Sequence, residues 1–357
     1  MISFYPGPSK VWDRLPVYMQ DAWQSGMLSV NHRSPQFARL WQDLVLELHL
    51  KLHIPPDYQI LPFSSATECW EVIAQSLLGP AGQSLHLYNG AFGEKWQEYT
   101  LRLTGAAQGY PFGLDQLPHP QQLPLQDSPL LALTHNETSN GTALPDAYME
   151  QLRQAWPEVL IAADATSSMA ALALPWHAAD LWFASVQKGF GLPAGLALLI
   201  CSPRAVAAAE KRGENSHYNS LLFSLENARK QQTTHTPNVL GLYLLWRSLK
   251  DRPPMAETDR LIRHRHRQWL QFWQEVGVFT PLCPAPVLQS PSVLALQGGK
   301  EAISSLKQAA LERGFYLGNG YGRWKESSFR IANFPALTDS DIDQLQAFLR
   351  EWCAARG

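Results

Sequence analysis

Ala184-Ser185-Val186-Gln187-Lys188-Gly189-Phe190-Gly191 is the stretch on which this chain turns. It continues the apolar run that begins at Leu181, and small residues and glycines surround the lysine. Lysines are seldom fully buried unless paired, so an amine in this setting ends a buried strand and points past it. Upstream, Val159-Leu160-Ile161-Ala162-Ala163 is a second apolar run, and it ends in Asp164. In open parallel sheets, ligands bind beyond the carboxyl ends of the strands. An amine and a carboxylate therefore stand at the carboxyl ends of two buried strands, where ligands bind.

Pyridoxal phosphate is a ligand that uses such a pair. An amine holds its aldehyde as a Schiff base, and a carboxylate keeps its pyridine nitrogen protonated. The other strand ends supply what else it needs. After Phe63 comes Ser64-Ser65-Ala66-Thr67-Glu68, small residues entering a helix whose free N–H groups and dipole suit a phosphate. After Tyr88 comes Asn89-Gly90-Ala91-Phe92, with an aromatic ring that can stack on a planar group. After Thr134 comes the polar cluster His135-Asn136-Glu137-Thr138-Ser139-Asn140-Gly141. Each signal alone has an ordinary structural explanation: a helix cap, a core ring, a turn, an ion-paired lysine. Together, all at strand ends, they favour a cofactor site.

Composition narrows the class. The chain has 357 residues, 45% apolar and only 17% charged, with 13 tryptophans. That is enough to build two domains and a subunit interface. A net charge of −2 gives no broad drive toward nucleic acid or an anionic membrane. The basic His264-Arg265-His266-Arg267 run reads as a solvated helix face. Four scattered cysteines show no metal-ligand spacing, so no metal is expected. The start lacks a signal-peptide pattern and no apolar run is long enough for a bilayer, so a cytoplasmic protein is expected.

The hydrophobic pattern predicts strands at 59–63, 84–88, 130–134, 159–163, 181–185 and 197–201, with helices at 67–78, 92–104 and 144–156. Apolar strands alternating with amphipathic helices predict an α/β fold: a large, mostly parallel sheet with helices on both faces. The strand at 197–201 follows Lys188 too closely for a crossover helix and is expected antiparallel. Residues 109–129, rich in Pro and Gln, read as loop. The breaker Asp251-Arg252-Pro253-Pro254 separates a smaller α+β unit, with helices at 255–276, 300–313 and 339–355, strands at 293–296 and 328–331, and a Gly-rich loop at 318–322. The expected division is a large domain over 15–250 and a small one formed by 1–14 and 251–357.

On these segments the chain resembles the class V, fold-type I pyridoxal-phosphate aminotransferases, and within them the phosphoserine aminotransferase branch. The resemblance rests on Phe4-Tyr5-Pro6-Gly7-Pro8, Val30-Asn31-His32-Arg33-Ser34-Pro35, Asn136-Glu137-Thr138-x-x-Gly141, Asp164-x-x-Ser167-Ser168, Gln187-Lys188, Thr236-Pro237 and Arg330-Ile331-Ala332-Asn333. It implies pyridoxal 5′-phosphate as cofactor, with Lys188 forming the Schiff base and shuttling the proton. Asp164 pairs with the ring nitrogen. Phe92 stands against the ring and Thr138 beside its phenolic oxygen. Ala66, Thr67 and Gln187 hold the phosphate, together with His235-Thr236 from a neighbouring subunit, so a homodimer is implied. Arg330 binds the substrate α-carboxylate, and His32 with Arg33 binds its distal anion. The implied reaction moves an amino group between glutamate and a 2-oxo acid, 3-phosphohydroxypyruvate first among them. Alternatives are a serine/alanine–glyoxylate type transaminase, a desulfurase-like lyase using Cys283, or a silent binding protein.

The chain departs from the family pattern in places. Thr67 stands where an Arg is common, Ser64-Ser65-Ala66 replaces a glycine-rich turn, and His235 replaces an Asn. The His-Arg pair before the carboxylate-binding Arg becomes Gly322-Arg323-Trp324-Lys325, which makes Arg323 a candidate substitute.

Overall fold

The fold is that of a computed structural model, which describes residues 1–79, 82–126 and 128–355. Its main sheet has seven strands among the described residues. Their spatial order is Gln59–Phe63, Ala197–Cys201, Leu181–Ser185, Leu160–Asp164, Leu130–Thr134, Ser84–Tyr88 and Ala107–Pro111. Ala197–Cys201 runs antiparallel to both neighbours; every other adjacent pair is parallel. Side chains alternate between two cores. Leu131 and Leu133 face one, while Leu130 and Ala132 face the other. Both faces are therefore covered, which is why these strands read as unbroken apolar runs. On one side lie the helices Pro35–Leu52 and Val239–Asp251, and on the other Ala66–Ile73 and Pro203–Arg212.

Register places the chemistry. Thr134 pairs with Asp164, and Asp164 with Phe183. The carboxyl ends of the central strands are thus level, and the residues just beyond them meet.

The seventh strand, Ala107–Pro111, begins before and runs into the stretch expected to be loop. Gly109 and Pro111 carry little β-propensity, but the strand lies at the sheet edge, where proline costs no ladder bond. Residue 127, within that same stretch, lies outside the described residues.

A second sheet orders Ile2–Phe4, Phe315–Asn319, Ser328–Ala332, Val293–Gln297 and Thr280–Pro281. The first of these pairs in parallel with the second, Ile2 opposite Phe315. Helices Met255–Val276, Lys300–Glu312 and Asp339–Ala354 flank this sheet. The last carries a capping box in which Thr338 and Asp341 satisfy each other's backbone N–H. Phe315–Asn319 overlaps the expected Gly-rich loop. Gly318 is there for space: a Cβ at this position would lie 2.5 Å from Pro6 Cδ and 2.9 Å from the Arg330 carbonyl oxygen.

Candidate active site

The carboxyl ends of the central strands open into a cavity of about 300 Å³. Lys188 stands in it, buried, on the turn after Leu181–Ser185. Its Nζ donates to Thr138 Oγ1 at 2.6 Å and to Ser167 Oγ at 3.0 Å, and lies 5.4 Å from the Phe92 ring centroid. Burial lowers the amine from its ordinary 10.5 to about 8, although the charge of Asp164 pulls the other way. Asp164 ends the neighbouring strand and is the one carboxylate lining the cavity among the described residues. Burial raises its pKa, against the opposing pull of the Thr166 N–H, which donates to Oδ1 at 2.9 Å.

Two chain segments hold the lysine turn. On one side, Ser9 N–H donates to the Gln187 carbonyl, and Trp12 donates from N to Gly191 O and from Nε1 to Phe190 O. On the other, the buried Arg252 donates from Nη2 to Gly189 O at 2.6 Å and to Ala170 O at 2.8 Å. Gly7 completes the fit. A Cβ there would come within 2.8 Å of Lys188 Cε, so any side chain would displace the amine.

The polar cluster after Thr134 forms the hairpin Asn136–Glu137/Thr142–Ala143. Glu137 is buried, and its carboxylate accepts from the N–H groups of Phe92 and Gly93 at 3.2 Å and Ser139 at 2.9 Å. Ser139 Oγ accepts from Ala91 N–H. This capping comes from outside helix Ala91–Thr104 and sets a carboxyl group at the positive helix end, although burial raises its pKa. It also fixes Phe92 against Lys188. Tyr321 then stacks on Phe92 with centroids 5.1 Å apart. Arg330, nearly buried, spends Nε on the Asn319 carbonyl and Nη1 on that of Thr138, which leaves Nη2 for a ligand.

Of the residues expected from sequence, Ala66, Thr67, Phe92, Thr138, Asp164, Gln187, Lys188 and Arg330 line this cavity. The Ala66 N–H is already taken by Ser185 Oγ at 2.7 Å. The helix start therefore offers Ser185 and the Thr67 end, not a free Ala66 donor. The other expected residues lie elsewhere. His235 and Thr236 line a separate cavity of about 200 Å³ beside Leu61–Ser64. His32 is close enough to His235 and Arg33 for their charges to lower its pKa, after burial as the main cause. Arg33 is exposed. Arg323 lines a third cleft with its guanidinium 4.3 Å over the Trp324 ring. Ser185, Glu137, Ser167, Lys95 and Tyr321 were not singled out from sequence. Glu137 and Ser167 stood inside motifs already quoted and Tyr321 inside the Gly-rich loop at 318–322, but Lys95 lies outside every motif. Cys283 is buried, its thiol donating to the Leu114 carbonyl and its pKa raised by burial, which does not suit a nucleophile.

The cavity fits pyridoxal phosphate. It has an amine of lowered pKa, a carboxylate at a neighbouring strand end, a ring and a helix start. Thr134 Oγ1 is buried, lines it and has no protein partner among the described residues.

A family model described as aminotransferase class-V matches residues 6–279. A phosphoserine aminotransferase of Rhodococcus opacus is 28% identical over 95% of this chain and 91% of its own length. The crystal structure of a phosphoserine aminotransferase from Cytophaga hutchinsonii superposes with a TM-score of 0.90 at 28% identity, covering 98% of each chain. An aspartate aminotransferase from Thermus thermophilus shares the fold, with a TM-score of 0.87, 21% identity and 99% of each chain covered. With its fold-type I architecture and this cavity, the chain belongs to the class-V aminotransferase family and is a pyridoxal-phosphate-dependent aminotransferase.

Proposed function

We infer that this enzyme transfers the amino group of glutamate to 3-phosphohydroxypyruvate, giving O-phosphoserine for serine biosynthesis in the cytoplasm. The observation that carries the reading is the convergence of Lys188, Asp164 and Arg330 on one cavity whose architecture matches phosphoserine aminotransferases over nearly the whole chain. The bound cofactor supplies stabilisation of negative charge at the substrate Cα and carries the amino group between the two half-reactions.

The chain's own residues do the rest. Lys188 holds the cofactor and moves the proton at Cα, and an amine near 8 is poised for that at neutral pH. Asp164 would pair with the cofactor's ring nitrogen and keep it protonated. Phe92 would bound the ring, and Thr138, bonded to Lys188, would stand by its phenolic oxygen. Thr67 and Gln187 serve the phosphate, with Ala66 acting through Ser185. Arg330 offers Nη2 to the α-carboxylate, a task suited to a planar guanidinium.

His32, Arg33, His235 and Thr236 lie outside this chain's own cavity and are assigned to the partner's site in a homodimer. There the first two bind the distal anion and the last two the cofactor phosphate. The mutual proximity of His32 and His235 supports a single surface serving that role. Arg323, turned onto Trp324, is given no part.

The test is a pair of half-reactions. The protein should be yellow and lose that colour on borohydride reduction, with the label on Lys188. After conversion with glutamate, phosphohydroxypyruvate should restore the original spectrum at least tenfold faster than pyruvate or glyoxylate. Equal rates would remove the phosphoserine assignment and leave the transaminase.

A further inference from the structure

The cavity holds a third cation that no motif announced. Lys95 lies on helix Ala91–Thr104, one turn after Phe92, and lines the same cavity as Lys188 and Arg330. Its Nζ donates to Tyr321 OH at 2.8 Å and stands 5.1 Å from that ring's centroid. Among the described residues no carboxylate lies within ion-pairing distance of it. An ammonium has three donors, so Lys95 keeps two beyond its bond to Tyr321. That bond raises its pKa, so it stays charged.

The other cations are committed. Lys188 serves the amine chemistry and is bonded to two hydroxyls. Arg330 is tied by two backbone carbonyls. Yet Arg330 and Lys95 meet on one ring, because Arg330 Cζ lies 5.4 Å from the Tyr321 centroid. A five-carbon diacid spans about 5 Å between its carboxyl carbons, and a hydrogen bond adds about 3 Å at each end. With Lys95 Nζ and Arg330 Cζ at 5.1 and 5.4 Å from one ring centroid, such a molecule is long enough to span from one to the other. Asp164 is the one carboxylate lining the cavity among the described residues, and it is placed for the cofactor ring. The cavity therefore carries an excess of positive charge toward its Tyr321 side.

On this geometry, and resting on the transaminase reading above, we propose that Lys95, held by Tyr321, is a specificity residue. From within the same chain it contributes to binding the second acidic group of a diacid substrate, beside His32 and Arg33 assigned above to the partner's site. Monocarboxylic amino acids engage Arg330 alone.

The experiment uses the holoenzyme and follows the cofactor spectrum in single half-reactions with glutamate and with alanine. Lys95→Met should raise the half-saturating glutamate concentration at least tenfold, leave the limiting rate within about twofold, and leave alanine within about twofold in both. Lys95→Arg should restore most of the glutamate affinity. Equal losses with both amino acids, or unchanged values with both, would overturn the proposal. So would a tenfold rise in the dissociation constant for pyridoxal phosphate, which would assign Lys95 to the cofactor phosphate. If wild type converts neither amino acid, the transaminase reading itself fails, a result distinct from any of these.

Discussion

Lys188→Met should make the cofactor-free protein more stable at neutral pH. The amine is buried, and its pKa falls from 10.5 to about 8. At roughly 1.4 kcal/mol per unit, holding the charged amine in that place costs about 3 kcal/mol. Methionine has similar length, no charge and good packing behaviour. Thr138 and Ser167, which lose the amine, remain bonded to each other at 2.5 Å, so no hydroxyl is left unpaired. The sign follows from proton binding. Between pH 8 and 10.5 the unfolded chain holds the lysine proton and the folded chain does not, so wild-type stability rises with pH through that window. Below pH 8 the full cost is present. Urea unfolding of the cofactor-free proteins, followed by tryptophan fluorescence, should show the variant ahead by about 3 kcal/mol at pH 7. The two should converge by about pH 10.5. A variant less stable than wild type at pH 7, or a gap that does not close with pH, would refute the argument.

Three other changes test the frame around that amine. Glu137→Ala strands the N–H groups of Phe92, Gly93 and Ser139 and should cost about 3–5 kcal/mol in urea unfolding; a loss under about 1 kcal/mol would mean water replaces the carboxylate. Gly189→Ala places a Cβ 2.2 Å from the Met169 carbonyl oxygen, and the forced shift should lower stability by about 1–3 kcal/mol and slow borohydride labelling of Lys188. Arg330→Lys keeps the charge but loses the fork. It should raise KM at least tenfold for glutamate and alanine alike, unlike any change at Lys95, in steady-state assays of each.

The central sheet was legible because its strands are apolar on both faces, so 59–63 through 197–201 stand out as runs between polar strand ends. The same contrast exposed Lys188 and Asp164. What stayed hidden did so for physical reasons. Ala107–Pro111 is an edge strand whose composition is that of a loop. Phe315–Asn319 contains a glycine that signals close packing, although in sequence a glycine reads first as a turn. Ser185 sits inside an apolar strand and shows its role only when the helix at Ala66 arrives against it. Lys95 follows helix spacing like any surface lysine. Only the stacking of Tyr321 on Phe92, from a segment distant in sequence, turns it toward the cavity. Burial of Arg252 was equally invisible, since Asp251-Arg252-Pro253-Pro254 reads as a breaker.

The way the lysine turn is held also sets an order of events during synthesis. Every strand of the large sheet lies between residues 59 and 201, so that sheet can form while the rest of the chain is still being made. The turn bearing Lys188 then lacks the Arg252 clamp. Its other support, the segment at Ser9 and Trp12, follows a first strand whose partner, Phe315–Asn319, emerges near the end. Contacts so far apart in sequence form late. A nascent chain stalled before Arg330 would carry Lys188 and Asp164 on a finished sheet, beside a cavity open on one side. The ability to retain cofactor would arrive only with the final part of the chain.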